Sequence, residues 1–158
     1  MSDLVCTVVR NSAYARTYLT SIYSKEEGLR MNGEELQEQA RERVQELPGA
    51  DLEHPFGRGW DVYKVRDKVF MLLTHVTGEP IVILKTDPED GKALQEQHEA
   101  ITTGYHMNKK HWITLHPSGD LSKSLVDDLV TDSYLLVVEN LPRAKRPVDP
   151  VTFGRDIR

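Results

Sequence analysis

The chain has 158 residues, a formal net charge of −5 and one cysteine, Cys6. This length is typical of a single domain, and a lone cysteine excludes an internal disulfide and a cysteine-rich zinc site. No apolar run has the length or basic lead-in of a membrane span or a secretory signal. We therefore expect one soluble domain in a reducing cytoplasm.

The charge is distributed unevenly along the chain. Residues 33–142 carry −9, from 20 acidic and 11 basic side chains, whereas residues 143–158 carry +3 and residues 1–32 carry +1. Affinity for nucleic acid comes largely from cations that neutralise phosphates, so an acidic body is a poor general DNA surface. A nucleic-acid function would require a localised basic patch.

The first residues differ in character from the rest. Residues 1–31 are rich in Ser, Thr and Tyr and follow neither a helical nor a strand period, so we expect an extension of uncertain structure. Met31 is an alternative start of the chain. The domain is predicted over residues 32–142, and residues 143–158 form a basic, proline-rich tail with little to pack.

The first predicted helix begins with a capping box. Asn32 caps it, and Glu35 stands at the position that reaches back to the cap. Apolar residues then recur at helical spacing at Leu36, Ala40, Val44 and Leu47. Pro48-Gly49 ends this helix.

Three extended segments follow, at residues 60–66, 68–76 and 79–86. They are rich in β-branched and aromatic residues and are divided by Asp67 and by Thr77-Gly78. This pattern predicts an antiparallel meander.

A second helix starts at Asp87, with Pro88 in its first turn, and runs to about residue 100. Residues 102–108 look irregular, and the alternation over residues 110–116 predicts a fourth strand.

A last helix is predicted from Ser122 to Leu141, because its apolar residues form a continuous helical stripe that Pro142 ends. The resulting order, α-βββ-α-β-α, lacks repeating βα units and indicates an α+β fold.

No sequence motif identifies a catalytic or cofactor site. The common phosphate-binding, nucleophile-elbow and zincin signatures are absent. His111 and His116 are five apart on the predicted strand and so face opposite sides, which leaves these histidines and His106 as surface or loop residues. Acidic residues line the first helix at Glu34, Glu35, Glu38 and Glu42. They are either a solvated face or ligands of a hard cation.

Two dense basic clusters are the candidates for a binding surface. One is Lys109-Lys110, next to His111, and the other comprises Arg143, Lys145 and Arg146. They would merge into one patch if the last helix ended near the loop before the fourth strand. Otherwise they solvate the surface and complement a helix dipole.

Aromatic residues near these clusters have two readings. Tyr105 follows a glycine in a polar segment, so it is either a base-contacting residue beside Lys109 and Lys110 or a packing residue. Trp60 and Trp112, each at the head of a strand, are predicted to be partly buried packing residues.

An ordered set of short segments carries a family resemblance over residues 33–146. The set comprises His54-Pro55-Phe56-Gly57, Val62-Tyr63-Lys64-Val65, Lys68-Val69-Phe70, Leu84-Lys85, Pro88-Glu89, Gly104-Tyr105, Asn108-Lys109, His111-Trp112-Ile113, Ser133-Tyr134, Leu141-Pro142 and Arg146. On these residues the chain resembles the MmcQ/YjbR family of small bacterial proteins.

The resemblance implies a fold similar to bacterial frataxin (CyaY-like), an antiparallel sheet with helices packed on one face. It also implies "double-wing" DNA binding, in which loops between strands straddle a duplex. One wing would fall at Arg66-Asp67-Lys68 or at Thr77-Gly78, and Asp67 stands where the family usually has glycine. A negative charge at a wing tip weakens contact with phosphates.

The sequence and the resemblance together predict a non-enzymatic, cytoplasmic DNA-binding module that needs no cofactor. Its expected DNA contacts are Tyr105, Lys109, Lys110, Arg143, Lys145, Arg146 and Lys68. The alternatives are a protein- or small-ligand-binding domain, favoured by the acidic body, and a frataxin-like divalent-metal binder that uses the acids of the first helix.

Overall fold

A six-stranded antiparallel sheet with three α-helices on one face makes up residues 31–154, the part of the chain that the computed structural model describes. The helices are α1 (Gly33–Val44), α2 (Pro88–Gln97) and α3 (Lys123–Glu139). The strands are β1 (Ala50–Glu53), β2 (Trp60–Val65), β3 (Lys68–Thr74), β4 (Ile81–Lys85), β5 (Ile101–Thr103) and β6 (Trp112–Leu115). Their order in the sheet is β1-β2-β3-β4-β6-β5. The predicted α+β class is confirmed. The prediction for residues 1–30 lies outside the described residues.

All three helices start at a capping residue, and the sequence predicts the caps at Asn32 and Asp87. The amide of Asn32 donates to the Glu35 carboxylate at 3.1 Å, and the Glu35 amide donates to the Asn32 side chain at 2.9 Å. Asp87 caps α2 and Ser122 caps α3 in the same way, each through a side-chain oxygen. Such caps satisfy amides that have no partner inside a helix.

The β2–β3 hairpin turns through two residues. Val65 pairs with Lys68, and Arg66 and Asp67 between them have φ values of 49° and 68°. Positive φ at both positions is the mark of the type I′ turn, whose twist matches that of the flanking strands. Asp67 is tolerated here because aspartate adopts this conformation more readily than most residues.

Two strands were not predicted. β1 is a four-residue edge strand with exposed central residues, and β5 is a three-residue edge strand. The irregular structure predicted for residues 102–108 is therefore wrong at its start. Neither strand is long enough to show an alternating pattern, and only pairing with β2 and β6 defines them.

The main core lies between the helices and the sheet. It includes Leu36 and Ala40 of α1, Leu129 of α3 and Phe70 of β3, all 0% exposed. A second apolar cluster covers the opposite, helix-free face of the sheet. Its buried members are Val62, Leu72, Ile81, Ile83 and Trp112. No helix of residues 31–154 is long and apolar enough to cross a bilayer.

Ser133 and Tyr134 lock α3 to the sheet. The Ser133 hydroxyl donates to the Phe70 carbonyl at 2.5 Å and accepts from the Lys85 amide at 2.8 Å, so it joins β3 to β4. The Tyr134 hydroxyl donates to the carbonyl of Pro48, and its ring meets that of Phe70 edge-on. This pair therefore has a structural role.

The segment after α3 packs against the core, so the prediction of a tail with little to pack is wrong for residues 143–154. Phe153 and Val148 pack on the core cluster, and the Phe153 ring centroid lies 6.1 Å from that of Tyr134. A short 3₁₀ helix, Arg143–Lys145, starts the segment. The contact depends on tertiary packing with no local sequence signal.

Candidate nucleic-acid interface

Strand directions bring basic residues from three segments to one end of the sheet. Antiparallel pairing puts the end of β2, the start of β3, the end of β4 and the start of β6 at that end. The last turn of α3 reaches the same end. The residues concerned, which we call the basic end, are Arg66, Lys68, Lys110, Arg143 and Lys145.

Arg66 fixes the position of the 3₁₀ helix against the hairpin. Its Nε donates to the backbone carbonyl of Lys145 at 2.9 Å. The hairpin is therefore held against the 3₁₀ helix that contains Arg143 and Lys145. Lys110 precedes β6, which lies two strands from β3, or roughly 10 Å at about 4.8 Å per strand.

Four cations of the basic end are open to solvent. Lys68, Lys110, Arg143 and Lys145 are all exposed, and none forms an ion pair with another residue of the 31–154 segment. Unpaired exposed cations keep their full capacity to neutralise phosphates. Strand order and the bond from Arg66 to Lys145 therefore place Lys110 and the segment with Arg143 and Lys145 at the same end of the sheet.

Two of the predicted contact residues are engaged in the fold itself. Lys109 Nζ donates to the carbonyl of Gly104 at 3.0 Å and closes the loop before β6. Arg146 donates from Nε to Leu141 at 2.9 Å and from Nη2 to Glu139 at 2.7 Å, both at backbone carbonyls. Glu139 is the last residue of α3 and Leu141 lies two residues beyond it, so Arg146 caps the C-terminal end of the helix.

Acidic residues also lie at this end and limit its positive potential. Asp67 occupies the hairpin tip between Arg66 and Lys68. Asp87 and Glu89 stand at the start of α2, where Asp87 accepts from the Glu89 amide at 2.9 Å. Any phosphate contact must therefore come from the sides of the hairpin, away from its tip.

Tyr134 lies beneath the basic end, and the charge of Arg66 affects its pKa. Burial raises the pKa of Tyr134 to about 12, while the nearby positive charge of Arg66 acts in the opposite direction. The phenol therefore stays protonated and remains a donor to Pro48 throughout the physiological range.

Tyr105 lies on the helix-free face, where it packs on an aromatic residue of β2. Its ring stacks on that of Trp60, with centroids 6.4 Å apart and planes 17° from parallel. Trp60 also meets Phe56 edge-on at 6.4 Å, and the His106 ring lies 4.1 Å from that of Tyr105. We call Phe56, Trp60, Tyr105 and His106 the aromatic row. Sequence reasoning missed Phe56 and His106, because only the fold brings their two loops together.

Both tryptophans pack as the sequence predicts. Trp112 is 8% exposed in the second apolar cluster, and Trp60 is half-buried against it. Lys85 Nζ lies 5.2 Å from the centroid of the Trp112 ring, a cation–π distance.

Two of the four acids predicted to line α1, Glu35 and Glu38, have partners in the fold. Glu35 completes the capping box, and Glu38 pairs with Arg41 at 3.6 Å. Within the described 31–154 segment, no group of three or more His, Cys, Asp or Glu residues converges to hold a metal ion. His116 instead contacts Glu79 and Thr102, each at 2.9 Å.

Comparison with known proteins gives consistent results. A family model described as YjbR matches residues 45–136. The chain is 42% identical over 124 residues to Uncharacterized protein YbdF of Escherichia coli O157:H7. The alignment covers 78% of this chain and 100% of that protein. The chain is also 40% identical over 83 residues to Uncharacterized protein YjbR of Escherichia coli K12. That alignment covers 52% of this chain and 70% of that protein.

Two solved structures share the fold. The Deinococcus radiodurans protein DR2400, described as a DUF419 domain, superposes with a TM-score of 0.64 at 32% identity, over 73% of this chain and 86% of its own. A protein from Pseudomonas syringae superposes with a TM-score of 0.52 at 26% identity, over 63% of this chain and 96% of its own. None of these four descriptions names a ligand or a reaction.

Proposed function

This chain belongs to the YjbR family, and we propose that it is a non-enzymatic bacterial module that binds DNA through the basic end of its sheet. One observation carries the proposal, namely that cations from three distant segments lie at one end of an otherwise acidic domain. The hydrogen bond from Arg66 to Lys145 holds two of those segments together.

The electrostatics of the basic end support contact with phosphates. Lys68, Lys110, Arg143 and Lys145 are exposed and lack ion-pair partners among residues 31–154. Each cation that neutralises a phosphate releases counterions and makes binding more sensitive to salt. Because the rest of the domain is acidic overall, the basic end is the surface that best accommodates the backbone of a duplex.

The arrangement supports binding without sequence reading. Exposed lysines contact phosphates as point charges, and such contacts position a protein on DNA but carry no sequence information. A short, charged hairpin can approach a groove edge, with Asp67 at its tip kept away from phosphates. The proposal includes a cytoplasmic location, which the lone cysteine supports.

Fluorescence anisotropy with labelled DNA tests the proposal. We expect the wild type to bind at low salt and a variant with four charges removed (Lys68→Gln, Lys110→Gln, Arg143→Gln and Lys145→Gln) to bind at least tenfold more weakly, as about four lost phosphate contacts require. The matched control is Lys92→Gln with Lys123→Gln, which removes exposed cations on α2 and at the far end of α3. Equal loss in both proteins would contradict a localised site, and protein or small ligands would then become the leading candidates.

A further inference from the structure

The helix-free face of the sheet carries a continuous row of aromatic rings. The loop before β6 folds back over this face and sets Tyr105 against Trp60 of β2. From Phe56 through Trp60 and Tyr105 to His106, successive ring centroids lie 6.4, 6.4 and 4.1 Å apart. Four rings, from the loop before β2, the first residue of β2 and the loop before β6, thus line one surface.

The row is held in place and yet reaches solvent. The Tyr105 amide donates to the Thr114 hydroxyl at 2.9 Å, and a Cβ on Gly104 would lie 2.5 Å from the Cβ of Trp112, so only glycine permits this path of the loop. Phe56 is 68% exposed, whereas Trp60 and Tyr105 are half-buried on the second apolar cluster. A large apolar side chain that is well exposed next to fixed rings is typical of a binding surface.

The charge of the two loops complements a nucleic-acid backbone. Residues 56–60 and 104–112, which carry the row, contain Arg58, Lys109 and Lys110 and no aspartate or glutamate. Aromatic rings interleaved with cations form the platform on which single strands bind, since bases stack on the rings while cations follow the phosphates.

The geometry of the row selects among nucleic acids. Bases of a duplex are stacked on one another and shielded by their backbones, so they cannot stack on an outer protein face. Unpaired bases can. A protein partner would also bury the row, but it would not call for the cations Arg58 and Lys110 in two loops that carry no acidic residue.

We propose that the aromatic row is a binding site for single-stranded DNA, with unpaired bases on Phe56, Trp60 and Tyr105 and phosphates on Lys110 and Arg58. This inference rests on the proposed nucleic-acid function. It extends the binding surface from the basic end, to which Lys110 belongs, to the helix-free face. It assigns the protein a preference for single-stranded over duplex DNA.

The test compares labelled oligothymidine with a duplex of equal length, by anisotropy, and follows tryptophan emission during the titration. We expect tighter binding to oligothymidine and quenching of Trp60 emission, because a stacked base quenches an indole. Phe56→Ala, which truncates a mostly exposed ring, should weaken oligothymidine binding roughly five- to a hundredfold. Leu52→Ala is the matched control, since Leu52 is 47% exposed on β1 and its cross-strand partner, Tyr63, belongs to the core on the helix side.

A second variant separates stacking from folding. Trp60→Phe keeps an aromatic ring, so it should retain binding but lose the quenching. Preference for the duplex, or oligothymidine binding that Phe56→Ala leaves unchanged, would overturn this inference while the basic end could still bind DNA. Tighter binding to oligouridine than to oligothymidine would also overturn it. Failure to bind any of the three at low salt would overturn both this inference and the proposed function.

Discussion

Arg66 donates a 2.9 Å hydrogen bond from Nε to the carbonyl oxygen of Lys145, a residue 79 positions further along the chain. The bond ties the tip of the β2–β3 hairpin to the 3₁₀ helix that follows α3. Through it, two basic segments that are distant in sequence form one surface. Removing the negative charge of the neighbouring tip residue, Asp67, should therefore change the DNA affinity of that surface.

Asp67→Asn should increase DNA affinity about threefold, since it removes one negative charge between Arg66 and Lys68 at low salt. Asparagine also adopts positive φ, so the type I′ turn is retained. Anisotropy with duplex DNA at low and high salt measures the change. Asp149→Asn, an exposed acid beyond the 3₁₀ helix, is the comparison. A decrease in affinity would exclude the hairpin from the interface.

Arg146→Met should lower the free energy of unfolding by about 1–3 kcal/mol, because carbonyls at the end of α3 lose a charged donor. Urea denaturation monitored by circular dichroism gives this value. DNA affinity, measured well below the denaturation midpoint, should fall less than for Lys145→Gln. A larger loss of DNA affinity for Arg146→Met than for Lys145→Gln would contradict this account and indicate that Arg146 contacts DNA directly.

Ser133→Ala should destabilise the fold by about 1–3 kcal/mol, since it leaves the buried Lys85 amide without its acceptor and removes the donor to Phe70. Ser124→Ala, on the exposed first turn of the same helix, should change stability by less than about 0.5 kcal/mol. The midpoints of urea denaturation for the two variants test this difference. Equal midpoints would contradict the assigned bridge between β3 and β4.

Tyr134 should make stability fall at high pH. Burial raises its pKa to about 12 in the folded protein, above the value of about 10 expected when unfolded. A raised folded pKa gives stability that is present below about pH 10 and is lost as the pH rises through 12. Tyr134→Phe should be less stable at pH 7, where its hydrogen bond to Pro48 is missing, but lose less stability between pH 9 and pH 12. Melting temperatures across this range check the two slopes, and parallel slopes would contradict the assignment.

The sequence predicts the local parts of this fold well. Caps at Asn32 and Asp87, the turn at Asp67 and the central strands all have signals within a few residues, and the structure confirms them. The strands β1 and β5 were not predicted, because edge strands of three or four residues show no periodicity. The packing of Phe153 on Tyr134 was not predicted, because it joins parts of the chain that no local pattern connects.

The candidate surface was predictable in composition but not in geometry. Clusters at Lys109-Lys110 and Arg143–Lys145 are visible in the sequence, yet their common location depends on strand order and on the direction of α3. Sequence alone also cannot separate an exposed cation from one engaged in the fold, as Lys109 and Arg146 are. Tyr105 showed the same ambiguity, and the structure adds that its ring stacks on Trp60 on the helix-free face.

The most direct test of the DNA-binding proposal is the salt dependence of DNA affinity for the wild type and for Lys110→Gln with Lys145→Gln, which removes one cation from each side of the basic end. The account predicts that log K falls linearly with log[NaCl] and that the double variant has a slope shallower by about two, at roughly 0.9 per phosphate contact. Lys92→Gln with Lys123→Gln should keep the wild-type slope. Identical slopes in all three proteins, or no binding at low salt, would contradict the basic end as a DNA-binding surface.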